Sequence, residues 1–127
     1  MSADNIRKEF KKKLNVDVGV IISDSHCVPL RTGTTGFALA TSGFNAVIDE
    51  RGKKDLFGKK IRITQRAVAD GLASAAVVIM GETDERMPAV LIRNAPINLT
   101  NQPSKSSTYF LPNECLFSSI YDEKVKK

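Results

Sequence analysis

The sequence predicts an α+β domain, a mixed sheet with packed helices. Its apolar residues change period along the chain: a helical stripe near the start, alternation from Val16, and a second helical stripe after Arg66. These changes follow no regular strand–helix–strand alternation, the pattern that would indicate a parallel α/β sheet. The length of 127 residues fits one domain, 1–127.

Residues 4–14 place Ile6, Phe10 and Leu14 at i, i+4 and i+8 on an otherwise basic helix, with Asp4 as its expected N-cap. The expected seat of that helix is its own domain. From Val16, valine and isoleucine alternate as far as Ile22, and Val20-Ile-Ile22 is apolar on both faces, as in a central strand. That strand is expected to stop at Ser23-Asp-Ser-His26, with Pro29, Gly33 and Gly36 marking a loop. Short strands are expected at 37–40, 44–48 and 61–64, with a charged loop over 49–60. The spacing predicts a helix over 66–80, with Val68, Leu72, Ala75 and Ile79 on one stripe. Ala69, Ala73 and Ala76 would permit close packing, and Gly81 would stop the helix. Ala89-Val-Leu-Ile92 reads as another buried strand, 98–108 as an exposed loop and 111–121 as a closing helix.

Composition narrows the function. At 42% hydrophobic and 26% charged residues the chain reads as globular, with no apolar run long enough for a membrane span and no secretory signal. Cys27 and Cys115 form no CxxC motif, which argues against a disulfide scaffold or zinc ribbon and fits a reducing cytoplasm. With no tryptophan and 6% aromatics a base-stacking platform is poorly supported, and nucleic-acid binding is the weakest class. The net charge of +5 suits either plain solubility or steering of a phosphorylated or polycarboxylate ligand.

Four places could carry chemistry. Asp24 follows an apolar strand, flanked by Ser23 and Ser25. Carboxylate and hydroxyl oxygens suit magnesium or manganese; the alternative is an Asx turn in which Asp24 caps its own backbone. His26 is the only histidine, and three consecutive residues Asp24, Ser25 and His26 cannot converge as a triad. The run from Gly52 to Lys60 fails as a phosphate loop, because five residues separate its glycines and Lys60 replaces the hydroxyl. A basic hairpin-like loop is the better reading. Gly81-Glu-Thr-Asp-Glu-Arg86 is either a ligand loop on a rigid scaffold or a solvated turn.

These stretches occur together in a recognisable order. Val20-Ile-Ile-Ser-Asp-Ser25, Pro29-Leu-Arg31, Gly36-Phe-Ala-Leu-Ala40 and Arg51-Gly-Lys-Lys-Asp-Leu-Phe-Gly58 resemble the coenzyme F420-0:L-glutamate ligase (F420 γ-glutamyl ligase) family. So do Ala67-Val-Ala-Asp70, Leu72-Ala-Ser-Ala-Ala76, Met80-Gly-Glu82 and Pro88-Ala-Val-Leu-Ile-Arg93. The series is ordered and nearly gapless over 16–93 and weaker afterwards, at Leu111-Pro112 and Leu116-Phe117. Cys27 departs from the family's usual glycine, and Gly71 from its usual glutamate.

The resemblance implies a ligase that adds γ-linked L-glutamate to coenzyme F420-0, with GTP as co-substrate and magnesium or manganese as cofactor. GTP would phosphorylate the substrate carboxylate, and the glutamate amine would attack the acyl phosphate. Asp24 and Ser25 correspond to a metal ligand and its neighbouring hydroxyl ligand, and Glu82 to the second-metal position. Met80, Gly81, Glu82, Thr83, Asp84, Glu85, Arg86 and Met87 cover the nucleotide-contacting loop; no catalytic residue is assigned. The chain resembles only the second half of the ligase domain. It is therefore expected to act as a cytoplasmic subunit or fragment, in a homo-oligomer or with a complementary N-terminal-half subunit. The alternative is a ligase-derived domain that binds a ligand or partner without catalysis.

Overall fold

The computed structural model describes residues 2–102, together with Tyr109, Leu111, Glu114, Cys115, Phe117 and Ile120. Its elements run α1 (Ser2–Leu14), β1 (Val20–Cys27), β2 (Thr34–Ser42), β3 (Val47–Asp49), β4 (Gln65–Ala67) and α2 (Val68–Met80). β1 pairs with β2 and β3 with β4, both antiparallel, so the architecture is α+β. Most of the expected closing helix over 111–121, and of the loop over 98–108, lies outside the described residues.

The β1–β2 hairpin and α2 form the centre. Two residues of β2 have small side chains where the helix crosses. A Cβ on Gly36 would lie 2.6 Å from the Ala73 carbonyl oxygen and 2.7 Å from Val77 Cγ2, so only glycine permits this approach. Ala38 is buried beside it, and Ala69 and Ala73 are buried on the helix. The core cluster is Ala38, Phe44, Ala46 and Ala69, with Ile21 and Ile97 packed against it. Small residues on both surfaces let backbone approach backbone, which replaces bulk with close contact.

Polar groups fasten the remaining pieces. The α2 N-terminus has no side-chain cap; instead its Ala69 N–H donates to the Ala46 carbonyl at 3.0 Å, satisfying one otherwise unpaired helix donor. Gly81 ends the helix with φ at 75° and donates its N–H to Val77 O at 2.9 Å. α1 is held to the hairpin by the Ser42 hydroxyl, which donates to Asp4 Oδ1 at 2.5 Å, and to the segment before β1 by Arg7 Nε, which donates to Val18 O at 3.0 Å.

Several expectations are corrected. Asp4 lies inside the first turn of α1 and bonds Ser42 rather than capping the helix. The face of α1 turned to the domain carries Ala3 and Arg7, while Ile6, Phe10 and Leu14 remain exposed. β1 does not stop at Ser23 but continues through Ser23, Asp24, Ser25 and His26, because β2 supplies backbone partners for this polar stretch. Gly36 is a strand residue, not loop. The strand expected over 61–64 forms over Gln65–Ala67. That over 44–48 narrows to Val47–Asp49, while Phe44 makes a single bridge to Leu99. Helix α2 begins at Val68, and its buried residues are Val68, Ala69 and Ala73; Ala75 and Ile79 face solvent. Ala89 to Ile92 joins no ladder, and Leu91 is 70% exposed.

Candidate functional site

The site begins with a bulge. Ile22 pairs with Ala40 and Ser23 with Ala38, so Leu39 is an extra residue on β2. A bulge bends the ladder and re-aims the side chains beyond it. The Ala38 N–H, next to the irregularity, donates to Asp70 Oδ1 at 2.9 Å, which ties the bulge to the first turn of α2.

Beyond the bulge, Asp24 pairs with Phe37 and Ser25 with Gly36. Cross-strand partners share a face and neighbours along a strand alternate. Ser25 therefore shares the Gly36 face, which packs against α2, while Asp24 shares the opposite face with Phe37. The consequence is visible at the helix end. The Ser25 hydroxyl donates to Glu82 Oε2 at 3.0 Å, joining residues 57 apart in sequence. Asp24 Oδ1 accepts the Ser25 backbone N–H at 2.8 Å, a contact to the next strand residue and not the bond two residues on that an Asx turn makes. Thus Ser25 and Glu82 are brought together, while Asp24 adjoins Ser25 on β1 with its carboxylate exposed on the opposite face. No group of three or more His, Cys, Asp or Glu side chains able to hold a metal occurs among the described residues.

The loop from Met80 to Met87 projects from the end of α2. Met80 is the last helical residue, Gly81 the cap, and 82–87 are exposed. Glu85 Oε2 accepts the Thr83 backbone N–H at 2.9 Å and the Thr83 hydroxyl at 3.2 Å. The backbone N–H groups of Thr83 and of Glu85 itself hold the Glu85 carboxyl below the usual carboxylate range. A Cβ on Gly81 would lie 2.0 Å from Glu85 Cδ, so the turn closes over glycine.

One cluster was not anticipated as a site. Asp70, Ser74 and Gly71 on α2, with His26, Thr35, Gly36, Phe37 and Ala38 on the hairpin, line an open cleft of about 480 Å³ that Tyr109 also borders. Thr35 Oγ1 donates to Ser74 Oγ at 3.0 Å, and Ser74 Oγ donates to Gly36 O at 2.8 Å. The His26 ring lies 4.7 Å from Phe37, tilted by 46°. A side chain at position 71 would meet nothing within 4 Å, so this position has room for more than glycine. The readable signal was the i, i+4 pair of Asp70 and Ser74, which puts both on one helix face.

Comparison with known proteins follows the same boundaries. A profile of the family described as F420-0:Gamma-glutamyl ligase matches residues 1–94. The chain is 50% identical over 100 residues to the Coenzyme F420:L-glutamate ligase of Methanocaldococcus jannaschii, covering 79% of this chain and 40% of that protein. It is 43% identical over 104 residues to the protein of the same name from Methanococcus maripaludis, covering 82% and 42%. To that of Archaeoglobus fulgidus it is 36% identical over 108 residues, covering 85% and 43%. The chain spans about two-fifths of the length of these curated relatives. Both the Ser25 strand and the Glu82 loop lie inside the matched stretch.

Proposed function

The chain belongs to the F420-0:Gamma-glutamyl ligase family, and from that membership we propose that it forms part of a ligase adding γ-linked L-glutamate to coenzyme F420-0, with GTP and a divalent metal. The observation that carries this reading is the Ser25–Glu82 contact at 3.0 Å. A hydroxyl and a carboxylate meet at the strand and helix ends, and Asp24, adjacent on β1, offers a second carboxylate from the strand's opposite face. Such oxygen donors fit magnesium or manganese, which take one or two carboxylates and complete their shell with water and substrate phosphate. Asp24, Ser25 and Glu82 would hold the cation, whose contribution when bound is to neutralise charge on the transferring phosphoryl group.

The protein's own residues do the positioning. Ser25 is fixed by strand pairing with Gly36, and Glu82, the first loop residue after the Gly81 cap, is held by its bond to Ser25. The loop 80–87 offers backbone donors and the Arg86 guanidinium to a nucleotide. In the proposed reaction GTP phosphorylates the F420-0 carboxylate. The glutamate amine then attacks the acyl carbon, the C–N bond forms, and phosphate leaves with the electrons of the C–O bond. The remainder of the site comes from polypeptide outside the matched stretch, supplied by a homo-oligomer or a complementary chain in the cytoplasm. No helix among the described residues is long and apolar enough to cross a membrane.

The test is a product assay with F420-0, L-glutamate, GTP and manganese. The chain is combined with a polypeptide carrying the part of the Methanocaldococcus jannaschii relative that it does not match. A γ-glutamyl product is expected in the mixture, none with either piece alone, and none when the chain carries Asp24→Asn. No product from the complemented mixture would overturn the reading, as would undiminished product with Asp24→Asn.

A further inference from the structure

The cleft between α2 and the hairpin presents acceptors. The Gly36 carbonyl can only accept, so the single Ser74 hydroxyl proton points to it, at 2.8 Å. Ser74 Oγ must then accept from Thr35 Oγ1, at 3.0 Å, which commits the Thr35 proton as well. Both residues are half-buried, and what their oxygens still offer is lone pairs.

Asp70 is a third acceptor on the same wall. Its Oδ1 takes the Ala38 backbone N–H at 2.9 Å, which fixes the carboxylate in place. The residue is half-buried and forms no ion pair among the described residues. Among those residues no lysine or arginine lines the cleft. His26, at the rim, is exposed, and its neutral ring offers one donor and one acceptor. A partly withdrawn carboxylate is best satisfied by a cation that brings its own N–H donors. One carboxylate and two neutral hydroxyls match a single positive charge with three donors, which is an ammonium group. At about 480 Å³ the cleft has the size of a small-molecule site. Gly71 keeps it open beside Asp70, since a Cβ there would meet nothing within 4 Å.

We propose that this cleft is an amine subsite, which receives the ammonium group of an amino acid, and that in the ligase reaction the amino acid is L-glutamate. The ammonium donates to Asp70, Ser74 Oγ and Thr35 Oγ1, and the two carboxylates point out of the open mouth, away from the acceptors. The position suits an amine that must meet an acyl phosphate. Gly36 lines the cleft and is also the cross-strand partner of Ser25, which bonds Glu82. Such partners have Cα atoms about 5 Å apart, so the cleft and the Ser25–Glu82 contact are neighbours on one hairpin. The identity of the amine rests on the ligase reading above; the ammonium site rests on the cleft alone.

Amide NMR of the full chain tests the proposal, with L-glutamate and with glutarate, which carries the same two carboxylates and no amine. L-Glutamate should shift the Gly36, Ala38 and Ser74 amides, and glutarate should not. Asp70→Asn keeps an oxygen for the Ala38 N–H but removes the charge, and should weaken L-glutamate binding roughly tenfold or more. Gly71→Leu favours the helix and should weaken binding by narrowing the cleft; it carries the test if Asp70→Asn does not fold by circular dichroism. In the complemented product assay, Asp70→Asn should raise KM for L-glutamate by a similar factor and leave KM for GTP unchanged. No shift with L-glutamate, equal shifts with glutarate, or equal binding by the wild type and both variants would overturn the amine subsite. Product from the complemented mixture with KM for L-glutamate unmoved by Asp70→Asn would overturn it and leave the ligase reading standing. Asp70-dependent binding of L-glutamate, with no product from the complemented wild type, would support the subsite and overturn the ligase reading.

Discussion

At Asp49 one guanidinium sets the chemistry. Arg51 grips the carboxylate through Nε at 2.9 and 3.0 Å and through its terminal nitrogen at 2.5 Å, and its backbone N–H adds a fourth contact at 2.9 Å. The Arg51 side chain first, then its backbone N–H, lower the Asp49 pKa from 3.8 to about 2. A carboxylate with a depressed pKa contributes its stabilisation fully above the unfolded value and loses it as pH falls through the folded one. The Asp49–Arg51 clamp should therefore survive acidification until about pH 2. A carboxyl-detected NMR titration should give that midpoint, and Arg51→Ala should return it towards the ordinary range; a midpoint unmoved by the substitution would refute the clamp. Residue by residue, the sequence was legible in part. Asp24 lies beside Ser25, both read as candidate oxygen donors, while Asp49 and Arg51, two apart, fell in a stretch that reads only as a charged loop. The Ser25–Glu82 pair spans 57 residues and follows only from the fold. Family resemblance named both residues, but spacing could not bring them together.

The α2–hairpin seam is the element on which the candidate site depends. Gly36 lies between Ser25 across the ladder and the helix behind it. Gly36→Ala would drive a Cβ against the rigid Ala73 carbonyl and Val77. Overpacking of this kind costs about 1–3 kcal/mol. Chemical denaturation should show a loss in that range, and NMR shifts should change at both Ser25 and Glu82 as the helix end is displaced. Unchanged stability would mean that the seam is looser than described. The two helices were readable from period alone, as was the basic hairpin-like character of 52–60, where Lys54 bridges Lys60. The length of β1 was not. Its polar half looks like a loop, yet a two-stranded ladder with one solvated face accepts serine, aspartate and histidine as readily as valine. The buried face of α2 was also misjudged. Large apolar residues mark a stripe through Ala75 and Ile79, but packing against glycine and alanine selects the alanine face instead.

Across the molecule, the core is small and the apolar surface large. Phe44 is the one large side chain fully buried among the described residues. Leu14, Leu56, Phe57, Ile63, Val78 and Leu91 all stand more than half exposed. Exposed apolar surface on this scale marks interaction surfaces, which suits a chain spanning about two-fifths of its curated relatives. The same property explains why Ala89-Val-Leu-Ile92 misleads as a buried strand. Hydrophobicity states that a segment favours cover, and the described residues supply no strand beside it. Asp24, Ser25 and Glu82 are the chain's proposed share of a divalent-metal site. Manganese titration followed by electron paramagnetic resonance tests it directly, on the wild type, Asp24→Asn, Glu82→Gln, Ser25→Ala and Ser25→Thr. Binding is expected for the wild type and Ser25→Thr, with affinity reduced roughly 10–100-fold in the other three and every circular dichroism spectrum unchanged. Equal manganese affinity in all five proteins would contradict it, leaving Asp24 as an exposed strand residue and Ser25–Glu82 as a structural tie.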